Sequence, residues 1–559
     1  MPNADLPDTM DTLTPLLQAA RATPDDPKLH SNIANALYGL GRTAEAEARV
    51  RTALILKPDF PQAYSNLGVM AAGRGRLDEA AAALRRAAEL DPSLLDIRLN
   101  VGIILNRLVG NRSGQALFGA ERRHYESLPF PPRDPEAERY VLKVSTPDIL
   151  AKMNQYCFGG GRDFTRPFRV LVAGCGTGDS AVWLGWQLKD TRAEIVALDL
   201  SEASLDVARA RAKARGLGTI RWVHGSLLDV AAMGLGTFDY ITCLGVLHHL
   251  PDPVRGLRAL ESVLADRGAM AIMLYGAVGR SHIYSTQRLL RLATSGLDHP
   301  GEKLAFARQI VANLPPTNDF RQREGVEAIQ AAYLSDDTNF WDTLLHEQDR
   351  AYTASEVRAY LASARLHVQG WGSYSGNGAI TGLQYDLDFQ VNDPAQSARL
   401  AMLSPSERED AAEILDGSLA LHTVYATRES DAALDPMAPE AILAPMSDSG
   451  LQILAHLAAG GELTIVLRNG ARLPYHPSPA TRGFIARIDG LLSNAAIAAQ
   501  LGLSEGSEDM ARLKKELRLP TALHWVTARL AAGSRLPPLP DRNRLSNPLP
   551  HAEPSVLPL

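Results

Sequence analysis

Small and apolar residues in the first hundred positions recur at helical spacing, and the pattern as a whole then repeats. Asn32, Asn66 and Asn100 are evenly spaced, as are Ala19, Ala53 and Ala87, and Pro24, Pro58 and Pro92. The pairs Gly41/Gly75 and Ala46/Ala80 keep the same step of 34 residues. A period of this kind predicts helical hairpins stacked on one another, because one hairpin cannot bury its apolar face alone. Alanine at 46 and 80 lets paired helices approach. Glycine at 41 and 75 supplies the permissive backbone of a helix–helix turn, and proline after each second helix stops it. A half unit precedes the two full ones, and a decayed unit runs from Leu95 to about Tyr125. The proline-rich stretch "SLPFPPRDPEAERY" then breaks the periodicity and places a domain boundary near Pro131.

Beyond that boundary the period changes. Val170 to Ala173 reads as a short buried strand, and the residues after Asp179 are apolar at helical spacing. A strand "EIVALDL" and an alanine-rich helix follow, the helix capped by Ser201 and ended by Gly216. "TIRWVHGS", "FDYITCLGVLHHL" and "AMAIMLY" supply three more strands, with a helix ahead of the last. This alternation predicts a parallel sheet with its ligand at the strand C-terminal ends. An excursion over about 276–345 interrupts the sheet. "LLHEQDRAYTASEVRAYLASARLHVQGW" and "LALHTVYATR" lie beyond it. After the linker "DAALDPMAP", residues 431–535 alternate short helices with a hairpin, "GELTIVLRNGARLPYHP", and read as a small winged-helix-like module. The proline-rich tail 536–559 is expected to be disordered.

Composition narrows the class without naming it. The 559 residues are 45% hydrophobic and 21% charged, with room for about three or four domains. A net charge of −6 gives no global attraction to nucleic acid, and the basic residues of the C-terminal module are scattered among acids. The 3 cysteines, Cys157, Cys175 and Cys243, have no metal-ligand spacing, so no metal site is expected. The N-terminus lacks the basic and apolar regions of a signal peptide. No apolar run approaches the roughly 18 residues of a membrane helix, and the cytoplasm is the default expectation.

The chemistry concentrates at "VLVAGCGTGDSAVWLG", where Gly174, Gly176 and Gly178 alternate between a strand and a helix. Such a turn brings backbone amides and a helix N-terminus against a ligand. Asp199 ends the next strand, where an acid accepts ribose hydroxyls. A nicotinamide or flavin dinucleotide and S-adenosylmethionine (SAM) both use this pairing. The G-x-G-x-G spacing makes a bound pyrophosphate the poorer of the two readings.

Two resemblances follow from these residues. "SNIANALYGLGRTAEAEARVRTALILKP" and "SNLGVMAAGRGRLDEAAAALRRAAELDP" resemble tetratricopeptide repeats, which present a groove to peptides or partner proteins. "VLVAGCGTG", "VALDLS", "HGSLLD" and "FDYITCLGVLHHLPDP" look like the successive motifs of class I SAM-dependent methyltransferases over roughly 140–430; by the same resemblance "LLHEQDRAYTASEVRAYLASARLHVQGW" is the late helix and sixth strand and "LALHTVYATR" the closing seventh. Together they imply a multidomain chain: an all-α repeat array over 1–130, a Rossmann-like α/β methyltransferase domain over 131–430 with a cap insertion, the α+β accessory module and the tail.

By the methyltransferase resemblance, Gly174, Cys175, Gly176 and Gly178 approach the methionine–ribose part of SAM, and Asp199 holds the ribose. Leu200, Ser226 and Leu227 flank the adenine, and Leu244 and Gly245 pass beneath the sulfonium. Two positions depart from the family pattern: Val172 stands where many members carry an acid two residues before the first glycine, and Ser226 replaces an acid after the third strand. His248 and His249 are candidate bases or orienters, since histidine titrates near neutral pH. Tyr275, Arg280, Tyr284, His346, Asp349, Arg350 and Tyr352 are candidate acceptor-pocket residues.

The implied activity is methyl transfer to an N or O atom of an acceptor, a protein recruited with help from the repeats. The absence of an N-P-P-Y motif argues against exocyclic amides. Three alternatives stay open: a small-molecule acceptor with the repeats used for assembly, homo-oligomer formation through them, and a scaffold whose fold is non-catalytic.

Overall fold

The structure is a computed structural model. It describes residues 9–92, 129–346, 349–372, 383–391, 393–466, 472–530 and 534–536, single positions between 94 and 105, and the short pieces 545–546 and 556–558. The chain forms two compact units. One comprises residues 1–143, 282–346 and 541–546; the other comprises 144–281, 347–540 and 547–559.

In the first unit, five helices span Thr9–Ala22, Pro27–Gly39, Thr43–Leu56, Pro61–Gly73 and Leu77–Leu90. Each boundary has a local cause. Asp26 accepts from the Lys28 and Leu29 amides at the start of the second helix, and proline occupies the first position of the second and fourth. Gly41 and Gly75 adopt φ of 74° and 75° in equivalent turns. The third and fifth helices end at Leu56 and Leu90, two residues before Pro58 and Pro92. Ala46 and Ala80 are fully buried, as the period predicts, within cores that include Ile33, Val50 and Leu84. Most of the decayed repeat lies outside the described residues, although Ile97, Val101, Ile104 and Leu105 are buried.

The insertion departs from expectation. Its helices Ser281–Ala293 and Pro300–Ala312, with shorter turns as far as Leu345, enclose their own apolar core of Leu290, Leu304, Phe320 and Phe340. Residues 282–346 therefore belong to the unit of the repeats, where the sequence places them as a cap within the methyltransferase domain.

The second unit is built on a sheet with strands β1 (Phe168–Ala173), β2 (Ala193–Asp199), β3 (Ile220–His224), β4 (Phe238–Leu244), β5 (Leu264–Gly276), β6 (His367–Gly372) and β7 (Leu421–Thr427). Their order is β3-β2-β1-β4-β5-β7-β6. The first five are parallel, and β7 runs antiparallel to both neighbours. A two-residue segment, Ala351–Tyr352, adds to the end of β5 at Tyr275 and Gly276. Leu171, Ala173, Ile241, Cys243 and Ile272 bury one face of the sheet in a continuous core. Strand order reverses between β1 and β4, so the crevice at their C-terminal ends is where a ligand is expected.

The C-terminal module packs helices and a hairpin around Leu457, Ile465, Phe484, Leu517 and Trp525. Its element order differs from a winged helix. The hairpin Leu463–Val466/Arg472–Tyr475 precedes the last three helices, and the strand after them, Val526–Arg529, pairs back with Ile442–Pro445. Local pattern predicts the hairpin correctly; the long-range pairing that closes the module has no local signature. Most of the tail lies outside the described residues, but Leu545–Ser546 pairs with Leu142–Lys143 and Val556–Pro558 with Thr464–Val466. These pairings depart from the expected disorder, since an edge strand tolerates proline on its open side.

Candidate active site

The glycine turn follows β1 at the reversal of strand order. Gly174, Gly176 and Gly178 have φ of 69°, 49° and 95°, a region that side chains resist. A Cβ on Gly174 would collide with the Val246 side chain from the loop after β4, and one on Gly178 would stand 2.8 Å from the Ala208 Cβ. The turn is thus pressed between two neighbouring segments and leaves only backbone facing the crevice. The Gly174 and Cys175 amides donate to the Leu198 carbonyl at 2.8 and 3.0 Å, tying the turn to the end of β2. Cys175 is buried and its thiol is pushed well above its ordinary range by burial, with the nearby Asp199 carboxylate adding to the effect. It contributes packing and backbone to the site.

Asp199 does more than its position in the sequence foretold. Its carboxylate accepts from the Gly176 amide at 2.6 Å and from the Ser201 amide at 2.9 Å. Burial raises its pKa, opposed by these backbone hydrogen bonds. It anchors the glycine turn as well as facing the crevice. Each carboxylate oxygen keeps a second lone pair, so ribose hydroxyls can still be accepted. Beside it, Leu200 is 65% exposed, an apolar side chain at the position expected to cover an adenine. Ser226 caps the turn Leu227–Met233 by accepting from the Leu228 amide, and Leu227 is buried behind it. Leu244 ends β4, and Gly245 follows with φ of 78°. The glycine turn, held in left-handed backbone against Val246 and Ala208, and the exposed apolar side chain of Leu200 stand where the sequence expects the methionine–ribose part and the adenine of SAM.

Arg211 was not legible from motifs. It is 1% exposed, and its guanidinium donates to the Thr177 carbonyl at 2.7 Å and to Asp179 at 2.8 Å. The helix Glu202–Ala214 thereby grips the glycine turn from below.

After β4, the turn Leu247–His249 carries both histidines. His248 is 1% exposed, and its ring lies 3.8 Å from the Tyr275 ring centroid and 4.2 Å from that of His249. The Arg280 guanidinium stands 3.6 Å from the Tyr275 centroid. Two groups that near one ring cannot share a face, so Tyr275 is sandwiched between His248 and Arg280. The Arg350 amide donates to the His248 carbonyl at 3.1 Å, and its guanidinium covers the Tyr352 ring at 4.6 Å. Of the expected pocket residues, Tyr275, Arg280 and Arg350 thus gather around the histidines. Asp349 is half-buried just before Arg350. Tyr352 is a correction: it is 1% exposed and packed into the core beside Tyr360, because the short strand it occupies continues the sheet. Tyr284 and His346, both half-buried, belong to the other unit.

Residues 171–270 match a family model described as a methyltransferase domain, and residues 31–94 match one described as a tetratricopeptide repeat. An uncharacterised protein of Synechococcus sp. is 35% identical over 299 residues, spanning 52% of this chain and 67% of that protein. The ubiquinone biosynthesis O-methyltransferase of Vibrio campbellii is 26% identical over 153 residues, 27% of this chain and 63% of that enzyme. Among solved structures, PKMT2 from Rickettsia typhi in complex with AdoHcy is 13% identical, with a TM-score of 0.46 over 69% of this chain and 76% of that one.

The chain belongs to the class I SAM-dependent methyltransferases and carries tetratricopeptide repeats ahead of the catalytic domain. It is an enzyme whose cofactor is SAM. No described helix is long and apolar enough to cross a membrane.

Proposed function

We propose that the chain transfers the SAM methyl group to an N or O atom of a protein acceptor that the repeats help to recruit. The observation that carries this reading is the regular repeat array on the same chain as the glycine cradle. Tetratricopeptide stacks present extended surfaces suited to peptide binding. SAM, when bound, supplies an electrophilic methyl group on a sulfonium, and displacement at such a carbon depends chiefly on alignment. The protein's part is to hold the cofactor by backbone and Asp199, and to present the acceptor beside the histidines. An acceptor that arrives protonated needs a base. His249 suits that task because it is half-buried, whereas His248 is enclosed and serves to orient it.

The test is labelled-methyl transfer from SAM into whole lysate by the full-length protein, followed by separation into protein, RNA and small molecules. Label is expected in the protein fraction. A variant lacking residues 1–125 is expected to bind SAM in calorimetry and to label that fraction poorly. The relatives named as ubiquinone biosynthesis O-methyltransferases favour a second reading, an O-methylated small molecule, which label confined to the small-molecule fraction would establish.

Replacing His249 by asparagine is expected to lower kcat by about 10²–10⁴-fold, the usual contribution of a general base, with SAM affinity near wild type. The wild-type rate should rise with pH through one ionisation that the variant lacks. An equal loss at every pH, with weakened folding, would make His249 structural.

A further inference from the structure

Asp148 lies on the segment that leads into the helix Leu150–Cys157, and no sequence motif marks it. It has no exposed surface. Its carboxylate accepts from the Ser145 hydroxyl at 2.6 Å and from the Tyr240 hydroxyl at 3.0 Å; the Ser180 hydroxyl, bonded to that of Ser145, and the buried Thr242 hydroxyl, which makes no hydrogen bond of its own among the described residues, stand beside it. All four hydroxyls are neutral, and among the described residues no cation pairs with the carboxylate. A buried carboxylate in this state is costly, because hydroxyls satisfy its hydrogen bonds without compensating its charge. Burial accordingly pushes its pKa up, against the pull of the four hydroxyls.

The location says which cation would relieve it. Ser180 is the second residue of the helix that starts directly after Gly178, and it is 9% exposed. The Ser145 and Ser180 oxygens are 3.1 Å apart. Ser145 gives its only hydroxyl hydrogen to Asp148, so Ser180 donates toward this shell and keeps its lone pairs for a donor from the crevice. Thr242 pairs in register with Val172, two residues before Gly174. The polar shell of Asp148 therefore adjoins the strand position that carries valine where many relatives of this fold carry an acid. SAM has one compact cation with hydrogen-bond donors, the α-ammonium of its methionine part.

We propose that Asp148, acting through the Ser180 and Thr242 hydroxyls, supplies the negative charge that holds the α-ammonium of SAM in this chain. The inference rests on the glycine turn being the SAM cradle. It makes Asp148 a positioning residue for the methionine half of the cofactor and leaves the adenosyl half to Asp199 and Leu200.

Three stable ligands separate the halves: S-adenosylhomocysteine, its analogue lacking the amino group, and 5′-methylthioadenosine, which lacks the amino acid altogether. Calorimetry on the full chain compares wild type with Asp148→Asn. The variant is expected to bind S-adenosylhomocysteine about tenfold or more weakly, the scale of a lost hydrogen bond to a charged group, and methylthioadenosine as wild type does. Removing the amino group should weaken binding to wild type and have little effect on the variant. Equal weakening of all three ligands would make Asp148 merely structural and overturn the proposal, as would no weakening at all. Should Asp148→Asn fail to fold, Ser180→Ala keeps the carboxylate and removes one relay, and must show the same selectivity for the amino-bearing ligand. If wild type binds none of the three, the cradle reading falls with the proposal; if it binds them and the variants show no selectivity, the proposal alone falls.

Discussion

Gly174→Ala loses SAM binding by a large factor while the rest of the sheet survives. The left-handed φ of 69° at this position costs a side chain about 1–2 kcal/mol. The added Cβ runs into Val246, an overpacking of about 1–3 kcal/mol if neither segment moves. Together these are about 2–5 kcal/mol, equivalent to roughly 30-fold to a few thousandfold in affinity if the turn shifts to relieve them. Calorimetry with SAM measures the loss, and circular dichroism confirms the fold. The structure adds a rescue that separates the two causes. Val246→Ala removes the obstructing methyls, so the double variant should recover the steric share and keep the backbone share. Undiminished SAM binding by Gly174→Ala would remove the glycine turn from the cofactor site.

Asp199→Ala is the second large effect. Loss of a charged acceptor for the ribose hydroxyls costs about 1.5–3 kcal/mol, roughly 10- to 150-fold in affinity. The structure makes this a lower bound, since the Gly176 and Ser201 amides lose their acceptor too. Asp199→Asn is expected to be intermediate. An amide has one oxygen, and here two backbone N–H groups each address a different carboxylate oxygen, so the amide NH2 must face one of them. Titration with SAM should rank wild type above asparagine above alanine. Equal affinity in all three would dismiss Asp199 from both roles.

These two residues mark how far the site was legible in advance. The three glycines and the acid stand within one strand–turn–helix–strand run, so their spacing in the chain is nearly their spacing in space. The same holds for Ser226, Leu244 and Gly245, each placed by the end of a parallel strand. Arg211 and Asp148 were invisible for the opposite reason. Arg211 reaches the turn, and Asp148 the helix that follows it, from a distant part of the chain, and a lone arginine in an alanine-rich helix or a lone aspartate before a helix reads as an ordinary charged residue. Only burial reveals them: at 1% and 0% exposure, a charge must have a purpose or a partner. Tyr352, a candidate pocket residue by its place in the sequence, is buried because the end of β5 pairs with the short strand it occupies.

Local pattern and spacing determined the repeats, the first five strands and the glycine turn, because each depends on contacts between residues near in sequence or on a period that recurs. The insertion, the C-terminal module and the tail were decided elsewhere. Residues 282–346 close a core of their own that groups with the repeats, Val526–Arg529 crosses back to Ile442–Pro445, and Val556–Pro558 adds to a hairpin. A hydrophobic pattern states which face of an element must be covered, but not by which distant element. That choice is made by the packing of the whole chain, where shape and hydrogen-bond pairing at long range select among partners that local pattern leaves equivalent.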